Sequence, residues 1–204
     1  MDSVSRIEGV SSPGGYMMQA HVLLSIDREQ IQPFFERVPE LFEAYHGLES
    51  QNPEGYHELL YRVYRPYTNR MFDMIDEWMG FGQRSWHSDV GREVVLMLYA
   101  IRYPDTLLLE SLSDEVFLDI RRISGYLHFM KHTYTIWDED TRKGLARLGI
   151  NIPSTDRADP FIYGAYISAI ELLKELAPFY SFMEHDVPRQ RLFQAALAGY
   201  GREG

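Results

Sequence analysis

Apolar residues recur every three or four positions through most of the chain, and this spacing predicts helices almost throughout. The run QIQPFFERVPELFEAYH follows Asp27 as a cap, and Pro33 and Pro39 predict a kink or two short pieces. ESQNPEG reads as a turn. From Tyr56 to Phe81 the residues Leu60, Val63, Tyr64, Tyr67, Met71, Met74, Ile75 and Trp78 keep helical spacing, with Pro66 bending the early turns. GFGQRSWHS predicts a loop, and Ser88 caps a helix over DVGREVVLMLYAIRY that stops at Pro104.

The most regular pattern runs from Ser113 as cap to Trp137, through Val116, Ile120, Ile123, Leu127, Met130 and Tyr134. Asp114 and Glu115 in its first turn suit the helix dipole. DEDTRKGLARLG predicts a short helix ending at Gly149, and INIPSTDRADP a hinge or lobe boundary near 150–160. A long helix follows from Phe161, whose Gly164, Ala165, Ser168 and Ala169 would allow close approach of a neighbour. Asp186 caps a last helix that carries Pro188 in its first turn and ends by Gly199. Only Met17 to Ile26 fits a strand period as well. With no second strand to pair with, it is read as helix.

The expectation is an all-α fold, a single compact bundle-like domain of about seven helices. It spans 16–200, after a flexible leader over 1–15 and before a frayed end at 201–204. Composition agrees: 45% of the 204 residues are apolar and 14% aromatic, ample for a core. The absence of cysteine removes disulfides, thiolate metal sites and thiol nucleophiles. No stretch approaches the roughly 20 apolar residues of a spanning helix, which predicts a soluble, cytoplasmic protein.

Charge narrows the partners. The net charge is −10, with eight acids against two arginines between Asp27 and Glu58. Such a field repels polyanions, which excludes nucleic acid and anionic membrane and favours a basic protein partner. Self-association stays open.

Candidate chemistry is sparse. His128 and His132 share one helical face and could chelate a divalent metal. That face lies opposite the apolar stripe, which predicts solvent-facing or second-interface histidines. Phe129 stands where a zincin motif needs glutamate. Glu43 and His46 form a single Glu-x-x-His without the second copy that a di-iron bundle requires. Asp138, Glu139 and Asp140 could hold a cation, although capping and dipole compensation are their ordinary work at a helix start. No nucleophile elbow or phosphate loop occurs, and no cofactor motif is present.

Tyr, Trp and Arg dominate binding hot spots, and here they crowd one region. Tyr61 and Arg65 lie away from the apolar stripe, with Trp86 following in the loop. These three are the candidate binding residues. The resulting expectation is a non-enzymatic, acidic protein-binding module, of the antagonist or adaptor kind. The alternatives are an all-helical metalloenzyme with His and Glu ligands, or a helical pocket for an apolar small molecule.

Overall fold

The computed structural model describes residues 28–49, 53–62, 69–82, 84, 86–103, 105–116, 118–178 and 187–203. All secondary structure among them is helical: α1 (Arg28–Glu49), α2 (Pro53–Arg62), α3 (Asn69–Trp78), α4 (Ser88–Ala100), α5 (Leu109–Val116), α6 (Ile120–Met130), α7 (Glu139–Arg147), α8 (Pro160–Leu176) and α9 (Arg189–Arg202). The all-α domain is therefore seen, with nine described helices where about seven were expected. The leader, Met17–Ile26, Arg65, Pro66, Asp186 and the stretch beyond Pro178 that the last long pattern covers lie outside the described residues.

The differences have physical reasons. α1 runs unbroken through Pro33 and Pro39. Its face of Ile31, Phe34, Phe35, Val38, Leu41, Phe42 and Tyr45 is buried. That burial outweighs the few kcal/mol each proline costs. α2 starts inside the predicted turn, at Pro53, where a missing N–H is harmless. α9 runs past Gly199 to Arg202, where Arg202 bonds Asp140 and Arg37 Nη1 bonds Glu203 at 2.9 Å.

The most regular predicted helix is the largest correction. Ser113 lies inside α5, and a second cap, Asp119, accepts from Arg122 N at 2.8 Å and starts α6 afresh. α6 then ends at Met130, and residues 131–138 are not helical. Tyr134, Thr135, Ile136 and Trp137 in that segment are all buried. A buried irregular backbone needs partners for its polar groups, and side chains supply them. Tyr163 donates to Thr135 O at 2.6 Å, Tyr166 to Ile136 O at 2.9 Å, and Trp137 N to Ser124 Oγ at 2.8 Å. The segment thus lies against α6 and α8. It covers a second side of α6, which is buried at every residue from Ile123 to Met130.

α9 packs against α1 on one side and α7 on the other. Glycine permits this. A Cβ at Gly144 would overlap Leu197 O, one at Gly201 would overlap Asp140 O, and one at Gly199 would lie 2.6 Å from Leu41 O. The close approach expected at Gly164 meets only the Thr106 hydroxyl, 3.3 Å from an added Cβ. The stretch after α7 carries Ile150, Ile152 and Ala158 into the core, and its Asp156 O accepts from Ile120 N at 3.1 Å.

Candidate functional site

The two histidines do not share an environment. His132 is exposed, whereas His128 is fully enclosed, with ring centroids 6.2 Å apart. The expectation of a solvent-facing or second-interface position fails for His128, which is enclosed within the chain's own core. The helical wheel placed one apolar stripe on α6, but from Ile123 to Met130 the helix is buried on every side, with segment 131–138, α2 and α3 among the elements against it.

Hydrogen bonds define the His128 tautomer. Nδ1 lies 2.7 Å from Tyr134 O, an acceptor only, so Nδ1 carries the proton. Nε2 then accepts from Tyr56 Oη at 2.7 Å. Both nitrogens are engaged, and metal binding would have to break a buried hydrogen bond. Burial pushes the His128 pKa down to about 4, against a smaller raising effect of the Tyr134 carbonyl and with a further lowering from His132. The ring is neutral at pH 7. Behind it, the enclosed Arg191 guanidinium lies 5.3 Å from the Tyr56 ring and 5.4 Å from the Trp78 ring, and it donates to Gln194 Oε1. Burial lowers its pKa to about 10, so it remains charged. This constellation joins α2, α3, α6 and α9.

The acidic triplet is likewise occupied. Asp138 caps α7, accepting from Thr141 N at 2.8 Å; Glu139 bonds Arg142; Asp140 bonds Lys143 and Arg202. The Arg142 hydrogen bond holds Glu139 below the usual carboxylate range. Burial raises Asp140, but its bonds to Arg202 and Lys143 outweigh that and lower it overall. Among the described residues no three His, Asp or Glu side chains converge as a metal would need. The side chain of His46 lies outside the described set.

Of the candidate binding residues, Tyr61 stands on α2 with 65% of its surface exposed. Trp86 is half-buried, its ring 4.8 Å from Phe72 and 6.3 Å from Tyr126, with Arg84 5.0 Å above it. It packs on the core beside a buried carboxylate. Asp76 Oδ1 accepts from Tyr126 Oη at 2.7 Å and Arg122 Nε at 3.2 Å, and burial raises its pKa. A cavity of about 20 Å³ among Trp78, Met79, Arg121, Ile136, Trp137 and Asp138 has room for a water and is too small for an organic molecule.

Sequence reasoning missed the exposed apolar residues of α4 and its surroundings. Leu96 is 60% exposed, Leu107 62% and Phe161 51%, with Tyr99 and Leu108 also exposed. The Thr106 hydroxyl donates to Pro160 O at 2.7 Å, which ties the α4–α5 loop to the start of α8 and sets Leu107 near Phe161. The available signal was the apolar excess of VVLMLYA, too great for one face of a helix. No helix among the described residues is long and apolar enough to cross a membrane. Compared with known proteins, the chain matches no family model, no curated protein and no solved structure.

Proposed function

We propose that the protein is a helical protein-binding module rather than a catalyst. The observation that supports this reading is the surface. Tyr61, Leu96, Leu107 and Phe161 are each more than half exposed, an expenditure of apolar area that association with a partner would offset. The buried polar groups serve the fold instead: His128 bonds a backbone carbonyl and a tyrosine, and the acids after Trp137 cap or pair with neighbouring cations. The net charge of −10 favours a partner with a basic surface.

The test is cross-linking of the full chain in native lysate, followed by reconstitution with the purified partner and titration with salt. A stoichiometric complex that weakens as salt rises is expected. A chain that captures nothing but purifies with tightly held metal would refute the reading.

A further inference from the structure

We propose that α2 is an acid-releasable cover on α6: the bond between Tyr56 and His128 holds it while the imidazole is neutral, and protonation of that ring lifts α2 while α3 stays seated. This is a conformational device of the fold, independent of the binding reading above.

Two buried titratable contacts tie α6 to its neighbours, and their chemistry gives opposite responses to acid. The first joins α6 to α2. His128 Nδ1 gives its proton to Tyr134 O, so Nε2 must stay unprotonated to accept from Tyr56 Oη. An added proton removes that acceptor and places a charge in an enclosed site. The groups facing the ring offer that charge no counter-ion. Tyr56 comes from α2, with the His57 ring 5.9 Å behind it, and the His132 ring lies 6.2 Å from His128. Tyr134 offers its carbonyl, α3 contributes the Trp78 ring against Tyr56, and the Arg191 guanidinium of α9 lies 5.3 Å from the Tyr56 ring. No carboxylate acts on the imidazole.

The second contact joins α6 to α3. Asp76 accepts at Oδ1 from Tyr126 Oη and Arg122 Nε, whereas its buried Oδ2 has no partner among the described residues. A proton taken up at Oδ2 leaves both bonds in place and removes a buried charge. Around this carboxylate Arg122 attracts and Asp73 repels, and Arg84 acts on Tyr126 beside it. Packing makes the same distinction. Among the described side chains of α2 only Tyr56 and Leu59 are buried, whereas α3 buries Met71, Phe72 and Ile75 beside Asp76.

Linkage sets the sign and the size. With α2 closed His128 titrates at about 4, and with α2 lifted and the ring in water it returns towards 6.5. Closure is therefore favoured in full above pH 6.5 and weakens as pH falls towards 4, by about twentyfold between pH 7 and pH 5.

Hydrogen exchange of the full chain, read by mass spectrometry at both pH values and corrected for intrinsic exchange rates, tests this. Peptides from α2 should lose about twentyfold in protection relative to those from α3 and α6. In His128→Asn the α2 peptides should show no such pH-dependent loss. Tyr56→Phe, which keeps the ring, should lower α2 protection already at pH 7 and leave α3 unchanged. A common factor of loss for α2, α3 and α6 in the wild type overturns the proposal, because acid then acts through global unfolding. So does an α2 whose protection is the same at pH 5 as at pH 7, or one that Tyr56→Phe leaves unchanged. Acid loss that persists in His128→Asn places the titrating group elsewhere and overturns it too. Should His128→Asn fail to fold, the wild-type comparison decides alone.

Discussion

Replacing His128 by asparagine tests the interior directly. The asparagine amide can still offer an N–H towards Tyr134 O, but the bond that His128 Nε2 accepts from Tyr56 Oη at 2.7 Å is lost. Losing that buried hydrogen bond, with the ring that makes it, costs about 1 kcal/mol or more at neutral pH. The pH dependence is more diagnostic. His128 titrates near 6.5 when unfolded and near 4 in the fold. The folded state therefore favours the neutral ring. This contribution is fully present above pH 6.5 and is lost as pH falls towards 4, because only the unfolded chain takes up the proton in that interval. At ~1.4 kcal/mol per pH unit the loss totals roughly 3 kcal/mol. Asp76 acts with the opposite sign, since burial raises its pKa and favours the protonated fold in acid. The difference between wild type and His128→Asn cancels that contribution. Urea unfolding followed by tryptophan fluorescence at several pH values gives both curves. They should converge as pH falls from 6.5 to 4. Parallel curves, or a variant within ~0.5 kcal/mol of wild type at pH 7 as a surface histidine would be, would refute the buried placement.

Three further substitutions probe the packing. Leu127→Ala removes a fully buried side chain from α6 and should cost ~2–5 kcal/mol; an unchanged melting temperature would take α6 out of the core. Gly144→Ala places a methyl against the Leu197 carbonyl, backbone on both sides, and should cost ~1–3 kcal/mol or more, whereas Gly82→Ala enters open space and should be near neutral in the same thermal melts. Ser124→Ala leaves Trp137 N–H without its acceptor and should cost ~1–3 kcal/mol by urea titration, with no loss expected if water reaches that amide.

Where a helix carries its own punctuation, its sequence pattern matches the structure. Asp138 and Gly149 bound α7 as expected, the glycine taking φ +82° past the last turn. α4 departs from this: Ser88, read as its cap, is its first helical residue after His87, and the helix stops at Ala100, short of Pro104. The failures share one cause. Periodicity reports spacing along one element and is silent about what covers its other side. Tyr134 and Trp137 continue the spacing of α6, yet they belong to an extended segment buried beside it. The clue lay in the polar members of apolar helices. Ser124, His128, Tyr163 and Tyr166 each bond that segment's backbone, and such side chains in a covered helix imply a non-helical neighbour that needs them. For the surface the limitation runs the other way. Leu96 and Tyr99 look like core residues by type, and only the packed arrangement leaves them outside.

The segment from Lys131 to Asp138 has a kinetic consequence. A helix forms its hydrogen bonds between near neighbours, whereas this stretch bonds Tyr163 and Tyr166 across 28 and 30 residues of chain. Those bonds exist only once α6 and α8 stand in register, so loop closure precedes any return from them. The stretch therefore docks late and releases early. Its amides should exchange with solvent through partial opening while those of α6 await global unfolding. Because Lys131 also holds the last turn of α4, the same opening would loosen the apolar face, coupling the least locally supported part of the core to the surface proposed to meet a partner.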